Sequence, residues 1–211
     1  MRKTSSVLTA ITLCGVLTIT AGAAEERMEE KLQTYTNEQV AHGEYLVRII
    51  GCNDCHTPLV MSNNGPVPDM SRMLSGHPES LTMPSAPQLP EGPWVWVGAG
   101  TNTAYSGPWG TSYATNLTPD ENTGMGTWTE EIFLNTIRSG RHWGVARPIM
   151  PPMPWQSFSQ MTDDDLKAIF AYLKTIAPIK NRVPDAVAAG EPADPNELDW
   201  DDAAASIEGK K

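Results

Sequence analysis

Residues 51–56, GCNDCH, contain two cysteines three positions apart and a histidine directly after the second cysteine. Thiols and an imidazole at this spacing suit three kinds of chemistry. They could supply half of a structural zinc site, a redox-active dithiol, or the attachment point of a covalent haem. The rest of the chain distinguishes these possibilities.

The two alternatives to haem lack the residues or the context that they need. A structural zinc site takes four nitrogen or sulfur ligands, and the chain has no second cysteine pair. A thioredoxin-like dithiol opens a helix after a strand, whereas Cys52 and Cys55 follow the end of a predicted helix. C-x-x-C-H is the signature of c-type haem attachment. We therefore predict one covalent haem c, attached at Cys52 and Cys55, with His56 as an iron ligand.

A second axial ligand would have to come from another part of the chain. A methionine opposite a histidine raises the reduction potential of haem iron and suits electron transfer. Met150 and Met153 differ from the other methionines because they lie among four prolines in RPIMPPMPW. Proline fixes the backbone φ angle, so this loop can hold a weak ligand in place. The residues themselves leave both methionines open as candidates.

The fold class predicted from periodicity is mainly α, with three amphipathic helices. Each begins at a threonine N-cap and carries apolar residues at helical spacing. Residues 57–115 are instead rich in proline, glycine and aromatic residues without a sustained period, which predicts a long irregular loop insertion. We expect the tryptophans of this insertion mainly in its core, with docking to a partner as the alternative. The predicted helices run from Thr36 to Gly51, from Thr127 or Thr129 to Gly140, and from Thr162 to shortly before Pro178.

The N-terminal residues have the pattern of a cleavable signal peptide. A basic start precedes an apolar run that is too short to span a bilayer, and small residues follow at the cleavage site. We predict a signal peptide at 1–23, a polar lead-in at 24–35, one domain at 36–183, and an acidic disordered tail at 184–211. The protein is then expected in the periplasm, with no membrane span after cleavage.

The overall charge limits the kinds of partner. The formal net charge is −10 at pH 7. Nucleic-acid binding uses basic patches, so an acidic chain is not expected to bind nucleic acid. The expected partners are proteins that bind it through complementary charges.

The helix, the CxxCH motif, the long loop, the proline-flanked methionine and the capped last helix together resemble class I cytochromes c. Further stretches resemble bacterial monohaem cytochrome c subunits and carriers associated with membrane-linked dehydrogenases. The resemblance covers about residues 36–183. It implies the cytochrome c fold, in which the N- and C-terminal helices cross around one covalently bound haem. The stretches are NLTPDENTGMGTWTEEIFLNTIRSG, MPW and TDDDLKAIFAYLKTIAP.

The resemblance also implies roles for individual residues. Family members place the methionine ligand at a Met-Pro that lies a short aromatic-containing stretch before a Ser/Thr-Asp helix cap, which favours Met153 over Met150. Gly43 would let an aromatic residue such as Tyr172 approach the first helix. A backbone carbonyl near Pro66 would accept the Nδ1 hydrogen bond of the axial imidazole.

These features predict an electron-transfer protein of a respiratory chain, not an enzyme. It would be a periplasmic single-electron carrier with His/Met-ligated iron, which receives electrons from a dehydrogenase and passes them to an oxidase or another cytochrome. It would travel free or act as a subunit of a dehydrogenase complex. The alternative is a haem sensor or peroxidase-like enzyme with an open sixth coordination site. That alternative needs a polar group beside the iron, for which His77 and His142 are candidates.

Overall fold

A computed structural model describes residues 35–87 and 89–189. The predicted signal peptide, nearly all of the predicted lead-in and most of the predicted tail lie outside the described residues. None of the helices within the described ranges is long and apolar enough to cross a bilayer. The helices are α1 Asn37–Ile49, α2 Cys52–His56, α3 Glu130–Ser139, α4 Trp155–Phe158 and α5 Asp163–Thr175, with 3-10 turns at Met70–Arg72 and His142–Gly144. The strands are β1 Leu59–Ser62, β2 Gly65–Pro68, β3 Val97–Gly98, β4 Ala104–Gly107 and β5 Gly110–Tyr113.

The three long helices begin at threonine N-caps, as the sequence predicts. The first N–H groups of a helix have no intrahelical acceptor, and a threonine hydroxyl at the N-cap supplies one. The middle helix starts at Thr129, which settles the choice between positions 127 and 129. The three bonds run from Gln39 N–H to Thr36, from Ile132 N–H to Thr129, and from Asp165 N–H to Thr162.

The hydrophobic core lies where α1 packs against α5, and α3 closes it from the side. Gly43 is buried at the centre of the α1–α5 contact. A Cβ at this position would overlap the carbonyl oxygen of Ala168 and would lie 2.9 Å from the Cβ of Tyr172. The prediction that Gly43 allows a close approach near Tyr172 is confirmed. Buried core side chains include Leu46, Val47, Phe133, Ile137, Leu166, Ile169, Phe170 and Leu173.

Gly43→Ala is expected to lower the free energy of unfolding by about 2 kcal/mol, because the atom that its Cβ would overlap is a backbone oxygen, which places the cost at the upper end of the usual range. Overpacking costs about 1–3 kcal/mol, and the better helix propensity of alanine returns only about 1 kcal/mol. Urea unfolding measures the change. Gly100→Ala is the control, because a Cβ there would enter open space. Equal stability of the two variants would contradict the close contact of α1 with α5.

The insertion at 57–115 contains more regular structure than the sequence predicts. β1 and β2 form an antiparallel hairpin in which Val60 lies opposite Val67. β3, β4 and β5 form a three-stranded antiparallel sheet in that order. These strands are only two to four residues long, too short for a clear alternation of apolar and polar residues. The insertion therefore combines irregular loop with two small sheets.

The described fold extends past the predicted domain boundary at residue 183. Val187 exchanges two backbone hydrogen bonds with Thr111, each 2.9 Å long. A Cβ on Gly110 would overlap the Val187 carbonyl, so the chain lies directly against the β4–β5 hairpin here. The first residues of the predicted disordered tail are therefore paired with a sheet, because the backbone of β5 offers them hydrogen bonds. Residues 190–211 lie outside the described residues.

Candidate functional site

The CNDCH motif forms α2, a short helix that begins directly after α1. Gly51 separates the two helices and has a φ of 77°, in the left-handed region that favours glycine. Cys52 and Cys55 are half-buried free thiols on this helix, and His56 is buried at its end. The fold therefore brings the two predicted attachment residues and the predicted iron ligand onto one element.

The two cysteines do not have the properties of a redox dithiol or a zinc site. Burial raises the pKa of the Cys52 thiol to about 12, whereas dithiol enzymes lower the pKa of the attacking thiol. Within the described ranges, no group of three or more His, Cys, Asp and Glu side chains could hold a metal ion. A half-buried cysteine pair directly before a histidine suits covalent attachment of a haem.

His56 is oriented so that a single ring nitrogen remains for a ligand bond. Its Nδ1 lies 2.7 Å from the carbonyl oxygen of Thr115. A carbonyl only accepts hydrogen bonds, so Nδ1 carries the proton and Nε2 keeps its lone pair. Burial lowers the pKa of His56, and the hydrogen bond to Thr115 opposes this only in part. A neutral imidazole whose other nitrogen is held by a carbonyl meets the requirements for axial ligation of iron.

The carbonyl that orients His56 is not the predicted one. Pro66 lies on β2 and is exposed to solvent, so the expectation of a carbonyl near it was wrong. Thr115 follows β5 and lies 59 positions after His56 in the chain. Its backbone is fixed because the Ala114 N–H donates to the Thr103 carbonyl at 2.8 Å. A backbone carbonyl carries no residue-type signal, so the sequence could not identify it.

A second segment also contacts the end of α2. The Gly76 N–H donates to the His56 carbonyl at 2.8 Å. Asn181 is completely buried and donates through its side-chain amide to the carbonyls of Ser75 and His77. Asn181 therefore fixes residues 75–77, and this segment in turn holds the end of α2 through Gly76. Sequence reasoning missed this residue, because a single asparagine after the last helix belongs to no motif.

The two histidines proposed for an open iron site have different surroundings. His77 is fully buried, with Nδ1 2.9 Å from the Thr103 hydroxyl and Nε2 3.0 Å from the Leu81 carbonyl. Both ring nitrogens are therefore engaged, so His77 is a structural residue. His142 is half-buried in the turn after α3, where burial and the nearby Arg147 lower its pKa to about 4. It is therefore uncharged at neutral pH.

The segment that carries Met150 and Met153 runs from α3 to α4, and both methionines are half-buried. The Ser112 hydroxyl on β5 donates to the Pro151 carbonyl at 2.6 Å. Ser112 lies three residues before Thr115, whose carbonyl orients the imidazole. The same stretch of chain therefore holds the predicted histidine ligand and the methionine segment.

α3 fixes the other end of the methionine segment. Gly140 caps α3 with a φ of 65°, and a Cβ there would overlap the indole ring of Trp155 at the start of α4. Arg138, two residues earlier, donates to the Ser159 carbonyl and forms an ion pair with Asp163 of α5. Both ends of α4 are thus attached to the C-terminal end of α3.

Comparisons with known proteins identify the family and several relatives. The family model described as Cytochrome c matches residues 40–177, more than half of the chain. The cytochrome c subunit of alcohol dehydrogenase (quinone) from Gluconobacter oxydans is 27% identical over 175 residues, which are 81% of this chain and 28% of that protein. The gluconate 2-dehydrogenase cytochrome c subunit of Pantoea cypripedii is 29% identical over 144 residues, or 66% of this chain and 24% of that protein.

A third relative is similar over a shorter region. The fructose dehydrogenase cytochrome subunit of Gluconobacter japonicus is 38% identical over 72 residues, which are 34% of this chain and 15% of that protein. The matched part of this chain therefore spans less than a third of the length of each of these three relatives.

The family match and the cysteine pair lead to the same conclusion. A cytochrome c domain with a C-x-x-C-H motif carries covalently bound haem, and the side chains of α2 suit that group. The relatives include subunits that are named as cytochrome c components of dehydrogenases, which implies electron transfer as the role of the domain. This chain belongs to the cytochrome c family and is a class I c-type cytochrome with covalently bound haem c.

Proposed function

We propose that this protein is a periplasmic single-electron carrier whose haem iron is ligated by His56 and Met153. When bound, haem c supplies a metal centre that gains or loses one electron. Cys52 and Cys55 attach the group, and the surrounding loops fix the position of each ligand. The chain itself makes and breaks no substrate bonds in this role.

The hydrogen bond from His56 Nδ1 to the Thr115 carbonyl is the observation that carries the proposal. It fixes the tautomer and the orientation of the imidazole ring. Hydrogen-bond partners of a metal ligand also tune the reduction potential of the metal. β5 and the residues after it contact both His56 and the methionine segment. A ligand pair held by one stretch of chain needs little rearrangement when the oxidation state changes, which suits fast electron transfer.

Two contacts favour Met153 as the second ligand. The Ser112 bond fixes the chain at Pro151, and the packing on Gly140 fixes it at Trp155. Met153 lies between these two fixed points, with a proline on each side. Met150 precedes the first of them and has a proline on one side only, although the Ile149 N–H beside it also donates to the Gly140 carbonyl at 2.8 Å. These contacts therefore support the choice that the resemblance favoured.

The location and the partners form the remaining part of the proposal. Residues 1–23 have the signal-peptide pattern, so the protein is exported to the periplasm and its domain begins at about residue 36. Relatives named as cytochrome c subunits of alcohol and gluconate dehydrogenases support a dehydrogenase as the electron donor. An oxidase or another cytochrome would accept the electron.

An equilibrium redox titration of the haem-loaded protein, followed by visible absorption, tests the carrier function. We expect one reversible transition with the slope of a single electron, about 59 mV per tenfold change in the ratio of oxidised to reduced protein. Irreversible oxidation of the reduced protein, or a transition with a two-electron slope, would contradict a simple carrier.

A further inference from the structure

Three consecutive large apolar side chains of the insertion are exposed to solvent. Trp94 is 78% exposed, Val95 57% and Trp96 47%, so these tryptophans do not belong to a core as the sequence suggested. We call these three residues the aromatic patch. Contiguous apolar surface of this kind marks interaction sites in soluble proteins, and tryptophan is enriched among the residues that dominate binding energy.

Along the chain, the charged residues that flank the aromatic patch are all acidic. The sequence contains no lysine or arginine between Arg72 and Arg138, but six acidic residues. Glu91 is the charged residue nearest to the patch along the chain. A partner that is complementary to this surface has an apolar centre and a basic rim. A second copy of this acidic chain would instead meet a surface of like charge. The six acidic residues are Glu79, Glu91, Asp120, Glu121, Glu130 and Glu131.

One buried ring connects the aromatic patch to the haem attachment site. The Tyr105 ring lies edge-on to the Trp96 ring, with centroids 5.9 Å apart. Tyr105 is 5% exposed, and its hydroxyl donates to the Asn102 carbonyl, which fixes the ring. The Asn102 side chain in turn donates at 2.7 Å to the backbone carbonyl of Asp54, directly before Cys55. A protein docked on the patch is therefore connected to the helix that carries the attachment cysteines through Trp96, Tyr105 and Asn102. Electron tunnelling weakens steeply with distance, so a short separation favours transfer here.

We propose that the aromatic patch is the face on which a redox protein with an apolar centre and a basic rim docks. This rests on the proposed carrier function, because docking serves the exchange of one electron. The reduced member of the pair loses that electron and the oxidised member gains it, with no bond made or broken and no proton transferred.

The β1–β2 hairpin is a second exposed apolar surface and provides the matched control. Met61 is 79% exposed, nearly the same degree of exposure as Trp94, and the exposed apolar side chains of the hairpin are aliphatic. Replacing Met61 removes a similarly exposed apolar side chain from a different element of the fold. Neither Met61 nor Trp94 has a role in haem attachment.

Calorimetric titration at low ionic strength with a lysine-rich c-type cytochrome as the probe tests the proposal. We expect the wild-type protein to bind this probe, with an affinity that falls as salt screens the charges. Trp94→Ser is expected to weaken binding at least about tenfold, the effect of truncating a tryptophan at the centre of an interface. Val95→Glu should weaken it as well, whereas Met61→Ser should leave the dissociation constant unchanged. The visible spectra and potentials of all three variants should match those of the wild type.

Three results would overturn the docking proposal. They are the absence of binding by the wild-type protein, equal binding by Trp94→Ser, and a loss of binding that is confined to Met61→Ser. The redox titration of the same wild-type sample tests the carrier function separately. A protein that cycles reversibly while Trp94→Ser binds normally would refute the docking face alone. A wild-type haem that does not cycle would refute the carrier function, whatever the calorimetric result.

Discussion

Met153→Ala is expected to abolish the weak sulfur-to-iron absorption band of the oxidised protein and to lower its reduction potential. Thioether ligation opposite histidine raises the potential of haem iron. Axial ligands set haem potentials over a range of about 0.8 V, so loss of the thioether should lower the potential on the order of 0.1 V. Visible absorption of the oxidised protein and an equilibrium redox titration measure the two effects.

Met150→Ala is the matched control for Met153→Ala. It removes the same side chain from the same proline-rich segment, but at a position outside the two fixed points at Pro151 and Trp155. The band and the potential should therefore remain those of the wild-type protein. If Met150→Ala loses the band and Met153→Ala keeps it, the ligand has been assigned to the wrong methionine. If both variants keep it, neither methionine binds the iron.

Gly140→Ala is expected to destabilise the protein by about 3 kcal/mol and to weaken the sulfur-to-iron band. An alanine in the left-handed conformation costs about 1–2 kcal/mol. Its methyl group would also overlap the Trp155 ring, and overpacking adds about 1–3 kcal/mol. Trp155 lies two residues after Met153, so a displaced ring should change the position of the ligand segment. Urea unfolding and visible absorption measure the two effects.

Gly144→Ala separates backbone strain from the displacement of Trp155. Gly144 also has a positive φ, 77°, but a Cβ there would have the side chain of Asn135 as its nearest neighbour, at 3.0 Å. We therefore expect a smaller loss of stability, about 1–2 kcal/mol, and an unchanged band. Equal losses in the two variants, with the band intact in both, would show that the packing of Trp155 on Gly140 does not position the ligand segment.

The helices could be predicted because their signals are local. Thr36, Thr129 and Thr162 cap their helices through N–H groups three residues away, and Gly140 ends α3 in the left-handed conformation that glycine favours. Gly43 could be interpreted because a glycine inside a helix is unfavourable unless another backbone approaches it. Each of these predictions needed only a few neighbouring residues.

Part of the candidate site could not be predicted, because it depends on contacts between distant segments. The C-x-x-C-H motif identifies Cys52, Cys55 and His56 by residue type and spacing. The Thr115 carbonyl and the Asn181 amide instead reach the site across 59 and more than 100 positions of the chain. Neither group belongs to a motif, so only the tertiary structure reveals its role.

The insertion was the hardest part to interpret for a related reason. Its strands are too short to show a period, and a tryptophan occurs both in cores and at interfaces. Burial decides between these two uses, and burial depends on what packs against the side chain. Tyr105 on β4 is buried, whereas Trp94 is 78% exposed.

A carbon monoxide difference spectrum of the reduced, haem-loaded wild-type protein is the most direct test of His/Met ligation in a single-electron carrier. Carbon monoxide binds ferrous haem iron only at a free or labile coordination position. With His56 and Met153 both in place, the spectrum should not change on addition of the gas. Rapid, stoichiometric binding would show that the sixth position is open, and the protein would then be a sensor or a haem enzyme instead of a carrier.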